Sequence, residues 1–202
     1  MSTTATSATL EPTRAATENE SRAPASALAA AIAADVLYEV VDAKIVEKEF
    51  HAHEAAVASL LCMFLGNFAR TTRLGRAFIL MLFRIDQPRD LQRRPDIAFV
   101  SHAKWPVHRR LPDAEAWDMV PDLAIEIVNS TELADQVQET IHHYFRAGVT
   151  RVWVVYPNQR EVYIYSSLMQ IQVLQLGQDL DGGELVPGFR LPLTALFEDD
   201  AE

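Results

Sequence analysis

Residues 122–156 read DLAIEIVNSTELADQVQETIHHYFRAGVTRVWVVY, and this stretch decides the fold. The run DLAIEIVN (122–129) is apolar enough to predict a buried strand, and TRVWVVY (150–156) predicts a second one. Between them, apolar side chains recur at helical spacing: Leu133, Val137, Ile141 and Tyr144. Strand, helix and strand of this length predict a right-handed parallel crossover.

The limits of the crossover helix are predicted by capping signals. We expect the helix to begin after Asn129, with Glu132 three residues later as in a capping box. Gly148 stands where a left-handed C-terminal cap is commonest, so we expect the helix to end there.

Other secondary structure is predicted outward from this unit. LYEVV and KIVEKEF flank the turn Asp42-Ala43 and predict a hairpin, and helical spacing predicts an amphipathic helix over 52–70. Further strands are predicted for AFILMLFR (77–84), DIAFVS (96–101), EVYIYSS (161–167) and IQVLQL (171–176). We therefore expect an α/β chain with a mixed sheet.

Length and composition suit one globular domain. The chain has 202 residues and a net charge of -10, which argues against a coat protein that grips nucleic acid over a broad basic surface. We expect a flexible N-terminal tail over 1–25 and a single domain over 26–202. We expect no stretch to be apolar for long enough to cross a bilayer, and the N-terminus lacks a secretory pattern, which favours the cytoplasm.

Two acids stand where the sheet could hold a metal ion. Glu126 lies inside the apolar run 122–129, where an unpaired acid is costly to bury, and Asp96 follows Pro95 at the start of another strand. Mg²⁺ prefers such carboxylate oxygens on rigid backbone. Taken alone, Asp96 is better explained as a turn or strand-entry residue that follows a proline. Asp122 shares a strand face with Glu126, but a solvated first strand residue is the simpler interpretation.

Several of these segments together resemble a known family. They are RRPDIAFVS (93–101), PDLAIEIVNS (121–130), YFRAGV (144–149), TRVWVVYP (150–157), REVYIY (160–165) and LVPGFRLPLTALF (185–197). Their order and spacing resemble the Uma-type restriction endonuclease family, a branch of the PD-(D/E)XK nuclease superfamily, and the likeness spans roughly residues 37 to 197.

The resemblance implies a restriction-endonuclease-like core, a mixed β-sheet flanked by helices. It also implies a DNA endonuclease that uses Mg²⁺ or Mn²⁺, with Asp96 and Glu126 as catalytic residues and metal ligands and the carbonyl of Ile127 as a third oxygen. DNA would be contacted only locally. A homodimer would follow from the need to cut both strands.

The lysine that completes such sites is absent from its family positions. Those positions hold Val128 and Thr140 here, and no lysine follows Trp105. Lys104 lies beyond the far end of the Asp96 strand, too far to reach the acids unless the chain folds back.

Two further departures concern the charge of the site. Arg146 or Arg151 could replace the lysine electrostatically, although guanidinium clamps phosphate better than it gives up a proton. Tyr156 stands where the family often has an acid. Three hypotheses therefore remain open. The protein is an endonuclease with reduced activity, a catalytically inactive relative that binds nucleic acid or protein, or an oligomer without a nucleic-acid role.

The other polar candidates are better explained as structural residues. Glu54 could be an accessory acid, but an exposed first-turn residue is the simpler interpretation. We expect His142-His143 to be surface histidines, and Arg93-Arg94 and Arg109-Arg110 to be solvated.

Overall fold

The computed structural model of the chain describes residues 22–197. Its helices are α1 (Ala25–Ala33), α2 (Ala52–Thr72), α3 (Ala134–Ala147) and α4 (Leu193–Phe197). Its strands are β1 (Tyr38–Val41), β2 (Lys44–Glu47), β3 (Gly75–Ile79), β4 (Phe83–Asp86), β5 (Leu91–Arg93), β6 (Ile97–Ser101), β7 (Leu123–Ile127), β8 (Arg151–Tyr156), β9 (Glu161–Ser167), β10 (Gln170–Leu174), β11 (Asp179–Asp181) and β12 (Arg190–Pro192). Most of the predicted tail over 1–25 lies outside the described residues, so the domain limits stay a prediction.

The larger sheet has the strand order β10-β9-β8-β7-β6-β3. Strands β7 and β8 are parallel, with Glu126 opposite Val154, whereas the neighbouring pairs in this sheet are antiparallel. The predicted mixed sheet and parallel crossover are confirmed. Gly148 caps α3 with a φ of 96°, the left-handed conformation that glycine adopts without strain.

Both faces of the larger sheet are covered. Ile125 and Trp153 point to the side of α2, and Ala124 and Val154 point to the side of α3. Since β7 is buried along its whole length, a polar side chain on it needs a partner inside the protein.

A smaller sheet, with the order β2-β1-β5-β4, carries the predicted hairpin. Asp42 and Ala43 have φ values of 48° and 58°, as a two-residue type I′ turn requires. Strand β1 pairs with β5 through Val40 and Gln92. Because β5 leads directly through Pro95 to β6, the hairpin is held beside the start of β6.

Two sequence predictions about element limits were wrong. The run 77–84 is divided between β3 and β4, which belong to different sheets, and Leu80 turns the chain between them with a φ of 51°. Helix α3 begins later than expected, with Leu133 as its N-cap and Gln136 accepting the Leu133 N–H at 3.2 Å. Glu132 therefore lies before the helix and does not form its capping box.

Helix α2 corrects the expectation about apolar length. By length and composition alone it could cross a membrane. In the folded chain, however, Leu61 and Leu65 on this helix are fully buried in the core beneath the larger sheet. A core helix of a globular protein meets the same criteria.

Candidate functional site

Asp96 and Glu126 lie side by side at one end of two neighbouring strands. Asp96 immediately precedes β6 and Glu126 is on β7, and the register that pairs Ile97 with Ile125 brings the two acids together. Asp96 is 2% exposed and Glu126 is 8% exposed. Asp96 Oδ2 accepts the Ile127 N–H at 2.6 Å, which fixes this carboxylate against β7.

Lys48 places a positive charge between these acids. Its Nζ lies 2.8 Å from Glu126 Oε2 and 3.0 Å from Asp96 Oδ1. Lys48 directly follows β2, so it reaches the acids of the larger sheet from the hairpin of the smaller one. The expectation that the site lacks a lysine was therefore wrong, because the lysine comes from a part of the chain where the family pattern does not place it.

Burial and the charge of the opposite partner shift the pKa values of Lys48 and Glu126 in opposite directions. Burial alone would lower the pKa of Lys48, but the carboxylates of Glu126 and Asp96 outweigh it and raise that pKa above its ordinary value. Burial raises the pKa of Glu126, and Asp96 adds to this while Lys48 opposes it. Lys48 is therefore charged at neutral pH, and it is what permits two adjacent acids to be buried.

Tyr144 fixes the other oxygen of Glu126. This tyrosine is fully buried on α3 and its Oη donates a hydrogen bond to Glu126 Oε1 at 2.5 Å. Because Lys48 holds Oε2, both carboxylate oxygens have defined partners, and the orientation of Glu126 is set from two elements.

A second buried ion pair supports the site. Arg93 Nη1 donates to Glu39 Oε2 at 2.5 Å, and the Arg94 N–H donates to Glu39 Oε1 at 2.7 Å. Arg93 Nη2 also lies 2.6 Å from His143 Nδ1. Arg93 is only 6% exposed, so the expectations of a solvated Arg93-Arg94 pair and of an ordinary surface His143 were wrong. These contacts join β1, β5 and α3 around the acids.

An open cleft of about 580 Å³ gives access to the acids. It lies between the hairpin, β7 and the start of α3. Acidic side chains dominate its lining: Glu39, Glu47, Glu49, Asp96, Glu126, Glu132 and Glu139, against the bases Lys48 and Arg93. A cleft with this charge favours cations and repels a phosphodiester unless cations are bound.

The donor set fits a divalent cation that keeps part of its water shell. Asp96 Oδ1 is buried and has no hydrogen-bond donor, since Lys48 is close but not aligned with it. Residues 22–197 contain no cluster of three or more His, Cys, Asp or Glu side chains with metal-binding geometry. Mg²⁺ commonly uses only one or two carboxylates together with water and substrate oxygens, and Asp96 and Glu126 are two carboxylates side by side.

Asp122 and Lys104 lie away from the site. Asp122 is at the opposite end of β7, where its Oδ2 accepts the Ser101 N–H at 2.7 Å and its Oδ1 pairs with Lys104 Nζ at 3.1 Å. It is buried, so the expectation of a solvated residue was wrong, and its role there is structural.

Three other sequence candidates also have structural roles. Glu54 is buried, not exposed as expected, and it accepts the His51 N–H at 3.2 Å at the start of α2. Arg151 donates to the carbonyl of Gly182 at 3.3 Å, which occupies it outside the cleft. Thr140 lines the cleft, but its hydroxyl donates to Gln136 within α3.

Sequence reasoning missed Lys48 and Glu39. The scarcity of lysine, with only Lys44, Lys48 and Lys104 in the chain, was the one signal for Lys48. Glu39 stands in a β-type run, as Glu126 does. An acid in such a run indicates a buried and paired side chain, so the same signal applies to both residues.

Comparisons with known proteins agree with this architecture. The model of the Uma2 family, described as "Putative restriction endonuclease", matches residues 25–194. A crystal structure of "a putative nuclease belonging to DUF820" from Anabaena variabilis is similar with a TM-score of 0.70 and 20% sequence identity, over 80% of this chain and 89% of that one. At this identity the likeness shows the fold. No curated protein sequence matches the chain.

Proposed function

We propose that this chain, which belongs to the Uma2 family of restriction-endonuclease-like proteins, is a metal-dependent endonuclease that hydrolyses phosphodiester bonds in DNA. The observation that carries the proposal is the group formed by Lys48, Asp96 and Glu126, with Nζ 2.8 and 3.0 Å from the two carboxylates. Two acids and one lysine are the charges that such hydrolysis needs in one place.

Asp96, Glu126 and the carbonyl of Ile127 would hold the cation, for which Mg²⁺ or Mn²⁺ is the suitable choice. A divalent cation bound there supplies an activated water and neutralises charge on the scissile phosphate. Tyr144 keeps Glu126 oriented through the bond to Oε1. Lys48 provides a fixed positive charge for the phosphoryl oxygens. It replaces the lysine of the family, whose positions are occupied here by Val128 and Thr140.

The acidity of the cleft supports the requirement for metal. Acids outnumber bases in its lining, so DNA would be repelled from the metal-free cleft.

We also propose that the protein is cytoplasmic and forms a homodimer. A dimer is proposed because a single site cuts one strand at a time. A monomeric enzyme would convert supercoiled plasmid first to open circles, whereas a dimer with two active sites would produce linear DNA early.

The test is cleavage of supercoiled plasmid with Mg²⁺, Mn²⁺ or EDTA. Asp96→Asn and Glu126→Gln should abolish cleavage, and Lys48→Met should reduce it by about 100-fold or more. Lys44→Met is the matched control, because Lys44 is an exposed lysine at the other end of β2. Cleavage that survives in Asp96→Asn, or that persists in EDTA, would rule out this proposal. Purified wild-type protein that binds DNA but never cuts it would favour the non-catalytic alternative.

A further inference from the structure

The cleft alone has little means of holding DNA, but a basic surface lies elsewhere on the molecule. We call it the basic edge. It consists of Arg70 and Arg73 at the end of α2, Arg76 on the edge strand β3, and His102 and Arg109 in the loop after β6. A positive surface is notable on a chain whose net charge is -10.

The basic edge is formed by two stretches without any acid. Residues 55–85 and residues 97–112 contain no Asp or Glu. The nearest buried acid, Asp122, is already paired with Lys104 at 3.1 Å. Arg70 and Arg73 therefore have no acid near them in sequence, in contrast to Lys48 and Arg93, which are paired with acids in the cleft.

The geometry of the basic edge is concave. A cavity of about 520 Å³ is lined by Arg70, Arg73, Arg76 and His102, and by Gly66, Gly75, Ala77, Phe78 and Val107. Arg70 and Arg73 are exposed, and neither forms an ion pair within residues 22–197. Their guanidinium groups are available to an external anion.

The loop after β6 is fixed against this cavity. Arg76 Nη2 donates to the carbonyl of Val107 at 2.9 Å, which ties the loop to β3. Arg109 stacks over the ring of Trp105, with Cζ 3.8 Å from the ring centroid. The loop thus holds a further guanidinium group in place instead of leaving it on a mobile side chain.

We infer that the basic edge binds the sugar-phosphate backbone of DNA, as a non-sequence-specific grip at the opposite end of β6 from the cleft. This inference rests on the proposed function for its choice of polyanion. Arginine suits the role because its planar donors match phosphate oxygens. The five residues of β6 separate Asp96 from the Ser101 end by about 17 Å, the length of about five base pairs of duplex.

A purely structural role for these arginines makes a different prediction. Arg70 and Arg73 lie at the C-terminal end of α2, where positive charge stabilises a helix. If that were their whole purpose, removing them would lower thermal stability and leave affinity for DNA unchanged.

The test is binding of a fluorescein-labelled duplex of about 30 base pairs, measured by anisotropy in EDTA between about 50 and 200 mM salt. The variant is Arg70→Gln with Arg73→Gln. The control is Arg89→Gln with Arg190→Gln, which makes the same change in net charge at exposed arginines outside the basic edge. Melting temperatures of all proteins show whether each variant folds, and the single variant Arg70→Gln provides a milder second case.

The affinity of the basic-edge variant for the duplex should be about 10-fold lower, and that of the control should change little. The slope of log K against log salt concentration should decrease in the basic-edge variant by the equivalent of up to about two phosphate contacts. Equal weakening of both double variants, unchanged affinity in the basic-edge variant, or no binding by the wild-type protein would overturn the inference. Because EDTA prevents metal-dependent cleavage, this result is independent of catalysis. If the protein binds DNA through the basic edge but does not cleave it, the inference stands and only the proposed nuclease activity is contradicted.

Discussion

Lys48 and Glu126 are 78 residues apart in sequence, yet Nζ of one donates to Oε2 of the other at 2.8 Å. This contact joins the smaller sheet to the larger one at the only place where two acids are buried side by side among the described residues. Lys48 therefore has two roles that can be separated by experiment: it neutralises the acids in the folded protein, and it serves the proposed reaction.

The neutralising role predicts that Lys48→Met destabilises the protein by about 3 to 5 kcal/mol at neutral pH, because two buried carboxylates lose their counter-charge. Urea denaturation gives the free energy of unfolding. Lys44→Met, on the same strand but exposed, should change it by no more than about 0.5 kcal/mol. Equal effects of the two substitutions would show that the ion pair does not stabilise the fold.

The hydrogen bond from Tyr144 to Glu126 predicts that Tyr144→Phe costs about 1 to 3 kcal/mol, since it removes a buried donor and leaves Glu126 Oε1 without its partner. Calorimetric titration with Mn²⁺ should also show weaker binding, because one oxygen of Glu126 loses its fixed partner. Tyr165→Phe, on β9 and two strands away from Glu126, is the control. A Tyr144→Phe protein with unchanged stability would contradict the orienting role.

The contact between Arg93 and His143 predicts a pH dependence. Burial, followed by the charge of Arg93, lowers the pKa of His143 below its ordinary value of 6.5. The unfolded chain then binds this proton more readily than the folded protein, so stability is lost as pH falls below 6.5.

Urea midpoints measured at about pH 7.5 and about pH 5.5 should show this loss. His143→Gln should lose less stability over the interval than the wild-type protein, whereas His142→Gln, an exposed neighbour, should lose as much. Parallel curves for wild type and His143→Gln would remove His143 from the explanation.

Two glycines predict opposite effects of the same substitution. A Cβ at Gly75 would lie 2.4 Å from the carbonyl oxygen of Val100 and 2.5 Å from the ring of Phe99, so Gly75→Ala should destabilise by about 1 to 3 kcal/mol. A Cβ at Gly66 would meet Ala77 at an ordinary 3.6 Å. Gly66→Ala should therefore stabilise α2 by up to about 1 kcal/mol. Thermal midpoints measured side by side decide both predictions.

The parts of the fold that were predicted correctly have local signals. The crossover from β7 through α3 to β8 combines an apolar run, helical spacing and Gly148 as a cap, all within 35 residues of sequence. The division of 77–84 into β3 and β4 has no such signal, because Leu80 gives no warning of a left-handed conformation and both halves are apolar. Which sheet each half joins is decided by tertiary packing.

The candidate site was predicted in the same uneven way. Glu126 could be found because an acid inside a buried apolar strand needs a partner, whereas Asp96 was assigned to the site only through the family resemblance. The pairing of β6 with β7 brings the two acids together. Lys48 could not be found, since its approach depends on how the smaller sheet packs against the larger one. Arg93 was misjudged for the same reason: a pair of arginines in a sequence does not reveal that Glu39 will be buried beside one of them.

The tight turn at Asp42 and Ala43 has a consequence for inheritance. In a hairpin, a shift of one residue turns every following side chain of the strand to the opposite face. Gain or loss of a single codon in this turn would therefore direct Lys48 away from Asp96 and Glu126 without altering either acid. The register of this turn therefore decides whether the smaller sheet presents its lysine to the two acids or to the opposite face.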